Sequence, residues 1–132
     1  MGNDLGRLIL RVALGALILT HGVTKIIAGP AFIVSLVAKA GLPPPVAYLV
    51  YVGEVLAPLL IIIGLWTRAA AFVVVINMAV AVWLAHMGQL LKLNETGGYA
   101  LELQAMYFAT ALAIALLGAG RYSIGGSGGR WN

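Results

Sequence analysis

Four stretches of mostly apolar residues dominate the sequence, and glycine, proline or polar residues separate each one from the next. They run over about 8–27, 46–65, 69–87 and 99–118. Because a helix crosses a bilayer with roughly 20 mostly apolar residues, each stretch is long enough to span a membrane. The pattern therefore predicts an all-α membrane protein, built as a bundle of four transmembrane helices.

A shorter apolar segment lies between the first two stretches. Pro30 is a favourable first residue for a helix and Gly41 a favourable stop, but the segment between them is too short to cross a membrane. We interpret it as a short interfacial or re-entrant helix. An apolar loop packed on the helix ends is the alternative.

The composition agrees with a membrane location, since 62% of the residues are apolar and only 9% are charged, whereas soluble domains carry about a quarter charged residues. We predict one transmembrane domain, residues 1–124, and a flexible glycine-rich tail, residues 125–132. The chain has no cysteine. This excludes thiol catalysis, iron–sulfur clusters and covalent haem attachment.

The net charge of +4 predicts an orientation and does not indicate nucleic-acid binding. An even number of spans places both termini on one side, and the arginines and lysines separate between the two sides. The terminal side holds Arg7, Arg11, Arg68, Arg121 and Arg130, and the other side holds Lys25, Lys39 and Lys92. The terminal side thus has five basic residues and the other side has three. Because the side richer in basic residues usually faces the cytoplasm, we expect both termini there.

Ionisable residues inside the spans are the candidates for function, since such residues usually face the bundle interior. The set is Arg11, His21, Lys25, Glu54, His86 and Glu102. From the helical rise, His21 lies about 9 Å and Glu54 about 12 Å from the outer ends of their spans. His21 and Lys25 share one face of the first span with Arg7 and Arg11, bordered by Gly15 and Gly22.

A quinone headgroup needs hydrogen-bond donors at its carbonyl oxygens and a proton source, and the outer half of the bundle offers both. We predict catalytic roles for His21, Glu54 and Glu102, and ligand-binding roles for Lys25, Tyr51, Tyr99 and Gln104. We predict no metal, because the Glu-x-x-His pairing of di-iron bundles is absent. We predict no haem bound between His21 and His86, because His86 lies roughly half a turn from Asn77 on the third span and only one of these two can face the bundle centre.

Structural interpretations remain open for several of these residues. Glu54 could form a purely structural ion pair with Lys25 or His21, and Glu102 could be an acid that favours a helix start. On the fourth span, Glu102 shares a face with Ala105, Ala109 and Ala113, which predicts a close-packing seam. For Arg11, Arg68 and Arg121 we predict anchoring, through phosphates or terminal carbonyls.

Several short motifs occur in a consistent order along residues 6–124. They are Leu10-Arg11, His21-Gly22-Val23-Thr24-Lys25, Gly41-Leu42-Pro43-Pro44, Tyr48, Gly53-Glu54, Gly64-Leu65-Trp66-Thr67-Arg68, Gly97-Gly98-Tyr99-Ala100-Leu101-Glu102 and Gly120-Arg121-Tyr122-Ser123. With them the sequence resembles the DoxX family of small four-span membrane proteins. The resemblance implies a prokaryotic plasma membrane and an oxidoreductase role, by analogy with a related subunit of thiosulfate:quinone oxidoreductase. The resemblance also implies that the polar positions of interest are Arg11, His21, Lys25, Glu54, Arg68 and Glu102.

Two hypotheses of different classes follow. In the first, the protein is a membrane redox subunit that holds a quinone near the outer face and takes electrons from a soluble or membrane redox partner, since the chain carries no cofactor motif. In the second, it is a non-enzymatic scaffold or a carrier of a small molecule or lipid that anchors partner proteins. An ion channel ranks last, because only Asn77 and Thr110 are polar in mid-bundle.

Overall fold

The computed structural model describes residues 1–132 and contains five helices and no β-strand. The helices are α1 (Gly2–Ala28), α2 (Ala31–Lys39), α3 (Pro44–Ile63), α4 (Thr67–Gln89) and α5 (Glu102–Leu117). Both α3 and α4 change their winding along their length, and each contains one π-helical turn. The all-α fold class is therefore confirmed.

Three of the helices are long and apolar enough to cross a membrane: α1, α3 and α4, with 27, 20 and 23 residues. The predicted fourth span is also an apolar helix, but α5 has only 16 residues, about 24 Å of helical rise. It runs antiparallel to α4, because Arg68 near the start of α4 donates hydrogen bonds to Ala115 and Leu116 near the end of α5.

The core lies where α1, α3, α4 and α5 meet. It contains Leu14, Ile18, Ala57, Ile61, Ala70, Ala71, Val74, Val75, Met78, Tyr107, Ala111 and Ile114. Many large apolar side chains point away from it, as expected where lipid is the surrounding solvent.

The packing face of α5 differs from the predicted one. Its buried residues are Tyr107, Ala111 and Ile114, whereas Ala105 and Ala109 are exposed. The predicted seam through Glu102 is therefore wrong. Because α5 is apolar on nearly all sides, the spacing of its apolar residues does not identify the face that packs.

The short segment between the first two spans is a helix, and the loop alternative is wrong. Helix α2 follows Pro30 and ends just before Gly41, whose φ of +80° allows the chain to reverse direction. Only Val37 of α2 is fully buried, and Phe32 is exposed. The helix lies against the start of α3 and the last turns of α4.

The end of the glycine-rich tail makes specific contacts with the start of α4. The backbone N–H and the hydroxyl of Thr67 both donate to the side-chain oxygen of Asn132, each at 3.0 Å. The backbone N–H of Arg68 donates to the carbonyl of Trp131 at 2.8 Å. These bonds satisfy N–H groups that the first turn of a helix otherwise leaves unpaired. The flexibility of the tail stays a prediction.

Candidate functional site

A π-helical turn of α3, Val52–Leu56, carries Glu54 into the bundle. Helix α1 approaches this turn so closely that a Cβ at Gly22 would overlap the carbonyl oxygen of Glu54. On the other side, a Cβ at Gly53 would lie 2.5 Å from the side chain of Asn77. Two glycines therefore allow α1 and α4 to pack directly against the turn that holds the carboxylate.

The carboxylate of Glu54 joins three helices. The ammonium of Lys25 on α1 donates to Oε2 at 2.5 Å, and the amide of Asn77 on α4 donates to Oε1 at 3.2 Å. The side chain of Glu54 is only 3% exposed, whereas that of Lys25 is 30% exposed. We call these three residues the Glu54 cluster. Its carboxylate is buried, and its lysine side chain is partly exposed.

Two aromatic residues flank the Glu54 cluster. The hydroxyl of Tyr51 donates to the backbone carbonyl of Lys25 at 3.3 Å, and its side chain is half-buried. Tyr107 of α5 is buried and lies within electrostatic range of the Glu54 charge. His21 forms no hydrogen bond or ion pair with Glu54. Its exposed ring instead meets the ring of Tyr107 edge to face, with 5.9 Å between the centroids.

Three predicted site residues form no hydrogen bond or ion pair with the Glu54 cluster. Glu102 is exposed at the start of α5, next to Gly98, and Gln104 is half-buried with no side-chain partner. The hydroxyl of Tyr99 donates to the carbonyl of Leu90 in the loop before α5. The structure thus brings together Lys25, Glu54 and Tyr51. It does not join Glu102, Gln104 or Tyr99 to them by a hydrogen bond or ion pair.

Asn77 is the cluster member that the sequence did not assign to a site. Its amide inside an apolar stretch is the signal that could have identified it, since such side chains often bond across membrane helices, as Asn77 does to Glu54. His86, further along α4, contacts Gln89 with 3.1 Å between ring nitrogen and amide oxygen. No three of the histidine, aspartate and glutamate side chains group closely enough to hold a metal ion.

A second buried charge lies toward the opposite end of the bundle. The guanidinium of Arg11 is fully buried and donates to the carbonyls of Ile61 at 3.2 Å, Ile62 at 3.3 Å and Tyr122 at 2.5 Å. Its Nε has no partner. Arg11 therefore ties α1 to the end of α3 and to the segment after α5, with no carboxylate involved.

The other two predicted anchors differ from each other. Arg68 donates to the last carbonyls of α5, with distances of 3.2 Å to Ala115 and 2.7 Å to Leu116. The side chain of Arg121 is exposed and makes no hydrogen bond, although its backbone N–H donates to the carboxylate of Asp4 at 3.1 Å. Carbonyl pairing, one of the two anchoring modes expected for these arginines, is thus present at Arg68 but not at Arg121.

The family model for DoxX matches residues 6–87, which include α2 and α3, nearly all of α1 and α4, and all three residues of the Glu54 cluster. The chain belongs to the DoxX family. The expected resemblance reached residue 124, but the matched residues end before α5, so Glu102 and Arg121 lie outside them. Comparison with curated proteins and with solved structures found no match.

Proposed function

We propose that this DoxX-family protein is a membrane subunit of a quinone-linked oxidoreductase and binds the quinone headgroup at the Glu54 cluster. The observation that supports this most is the ion pair of the buried Glu54 with Lys25, whose side chain is partly exposed on the surface of α1. In a membrane, that surface faces the lipid phase from which a quinone approaches. A charged pair in such a place is costly to maintain, and ionisable groups inside spans usually mark functional sites.

The cluster offers the chemistry that a quinone needs. The Lys25 ammonium has three N–H donors and uses one on Glu54, so the remaining donors can bind a quinone carbonyl. Reduction of a quinone to a quinol takes two electrons and two protons. The Lys25–Glu54 pair can pass protons, and a partner protein supplies the electrons, since this chain has no cysteine and no cofactor motif.

The proposed site uses fewer residues than the sequence predicted. Lys25 and Tyr51 contact the headgroup, Glu54 exchanges the proton, and His21 lies at the exposed rim next to Tyr107. Roles for Glu102, Gln104 and Tyr99 receive no support from the geometry, because none of them is joined to the cluster.

The proposal includes four spans in a prokaryotic plasma membrane, with both termini in the cytoplasm. Helix α5 ends level with the start of α4, and its 16 residues cover most of a hydrocarbon core of about 30 Å, with local thinning covering the rest. Single cysteines at Ser127 and Lys92 test this in intact cells. We expect an impermeant thiol reagent to label only the cysteine at 92. Labelling only at 127 contradicts the orientation.

A non-enzymatic scaffold or lipid carrier is the second candidate function. It is favoured by the hydrogen bonding of Glu54, since each carboxylate oxygen already accepts a bond from the protein itself. In this alternative the cluster only holds α1, α3 and α4 together, and the exposed apolar surface of the bundle is left for partner proteins or lipids.

Quinone content separates the two candidates. The protein is purified in mild detergent, and co-purified quinone is measured by absorbance and mass spectrometry. We expect about one quinone per chain, and at least a tenfold loss in the double variant Lys25→Met/Glu54→Gln, which leaves no buried charge unpaired. The matched control is Lys39→Met/Glu95→Gln, which removes the same charges from exposed positions. Equal quinone in all three proteins favours the scaffold.

A further inference from the structure

An apolar groove runs along the outer surface between α3 and α4. Nine residues line it, all of them apolar, and its volume is about 450 Å³. Leu56 and Leu60 form the α3 wall, and Ala69 and Val73 form the α4 wall. None of the three residues of the Glu54 cluster lines the groove.

The groove reaches across only about half of a membrane. Its walls extend from Val52 to Leu60 along α3, which is about 12 Å of helical rise against a hydrocarbon core of about 30 Å. Its other end is formed by Trp66 and Trp131, and tryptophan is enriched where a membrane meets water. A groove that runs from the interface to mid-membrane has the depth of one lipid leaflet.

Trp66 occupies this end at the expense of backbone strain. Its φ of 48° and ψ of 43° make it the one residue other than glycine with a positive φ. A bulky side chain rarely adopts this left-handed conformation. Such an outlier is a reason to look for function, and here the conformation places an exposed indole at the mouth of the groove.

A cation without an acidic partner lies beside the same mouth. The guanidinium of Arg130 is over the ring of Trp131, 5.6 Å from its centroid, and forms no salt bridge. The one acidic side chain paired at this end is Asp4, whose partner is Arg7 at 3.6 Å. An anionic group at the mouth of the groove is therefore attracted to Arg130.

We propose that this groove binds one acyl chain of an anionic phospholipid, with the lipid phosphate held by Arg130 next to Trp131. The apolar lining fits the chain, the depth fits one leaflet, and the unpaired guanidinium fits the headgroup. A helix from a second copy of the protein would need an apolar face along the whole span, which this groove does not provide.

Native mass spectrometry of the detergent-purified protein, titrated with phosphatidylglycerol or phosphatidylcholine, tests the proposal. We expect one phosphatidylglycerol to bind per chain, more tightly than phosphatidylcholine. Arg130→Gln should weaken phosphatidylglycerol about fivefold, the value for one cation at an anionic surface, and should leave phosphatidylcholine unchanged. Ala69→Leu fills the groove and should weaken both lipids.

Two matched variants control for general effects. Arg121→Gln removes an exposed arginine near the same end, and Ala16→Leu enlarges an exposed alanine on α1 away from the groove. Both should bind each lipid as the wild type does.

Three outcomes overturn the proposal: equal binding of the two lipids, equal effects of Arg130→Gln and Arg121→Gln, or a change of oligomeric state in Ala69→Leu without loss of lipid. The last result assigns the groove to a second copy of the chain. Because Arg130 is exposed, its variant remains informative even if Ala69→Leu does not fold.

Discussion

The bundle buries two charged side chains, Glu54 and Arg11, and it stabilises them in different ways. Glu54 is held by an opposite charge, Lys25, and by one amide. Arg11 has no carboxylate and is held by three backbone carbonyls, two of them from the last turn of α3, where the helix dipole is negative. One charge is neutralised by an ion pair and the other by dipoles.

This difference separates a site that can react from one that can only support structure. The side chain of Lys25 in the Glu54 cluster is 30% exposed, so a ligand can approach the pair and the pair can rearrange. Arg11 is fully enclosed, and its carbonyl partners belong to the main chain and cannot exchange protons. We therefore propose that the Glu54 cluster carries the function and that Arg11 contributes stability, and variants of the two sites can test this division.

The largest effect is expected at Arg11. Arg11→Met leaves three carbonyls without their donor, and we expect a loss of about 3–5 kcal/mol in the free energy of unfolding, since each buried acceptor left unpaired costs about 1–3 kcal/mol. Unfolding by titration with denaturing detergent measures it. Arg68→Met is the matched control, because this half-buried arginine also donates to helix carbonyls, and it should cost less. Equal costs would show that the burial of Arg11 adds nothing.

The next effect is an asymmetry within the Glu54 cluster. Lys25→Met leaves a buried carboxylate without its cation and should cost about 2–4 kcal/mol. Glu54→Gln should cost less, because Lys25 is partly exposed and can move its ammonium group toward water. In the double variant we expect most of the Lys25→Met loss to be recovered in the same unfolding assay. Strictly additive losses contradict the pairing.

A smaller effect is expected where α1 touches the π-helical turn. Gly22→Ala places a methyl group on the carbonyl of Glu54, and forced overpacking costs about 1–3 kcal/mol. Gly6→Ala on the same helix is the control, because no atom lies near its added Cβ, and it should stabilise by up to about 1 kcal/mol. If both variants are equally stable, α1 does not approach α3 at Gly22.

The helices could be predicted from the sequence because lipid imposes a simple rule of length and apolarity. The third span was predicted over residues 69–87, and the observed helix α4 is Thr67–Gln89. Pro30 and Gly41, the predicted start and stop signals, flank the observed helix α2. The pairing of the first span with Glu54 was also within reach, since His21 and Lys25 were its only cationic residues at that depth. The sequence did not decide between them, and the structure places Lys25 on the carboxylate.

Other features had no signal in the sequence. A π-helical turn leaves no mark in a run such as residues 52–56, yet it sets the direction of Glu54. The uniform apolarity of α5 concealed its packing face. The contacts of Asn132 with Thr67 join residues 65 positions apart, and hydrophobic periodicity carries no information about such polar contacts.

The smallest effect is expected at Asn77, and it tests the division between site and scaffold most directly. Asn77→Leu removes one hydrogen bond to Glu54 and should cost only about 1 kcal/mol, since hydrogen bonds between membrane helices average about 0.6 kcal/mol. The second readout is quinone content. If the Glu54 cluster is the binding site, quinone should fall several-fold although stability hardly changes, because the carboxylate loses the amide that orients it. The control is Thr110→Val, which removes a half-buried polar group of α5 that forms no hydrogen bond with the cluster. If Asn77→Leu keeps its quinone but loses stability, then Asn77 and Glu54 serve only to hold the helices together, as Arg11 does.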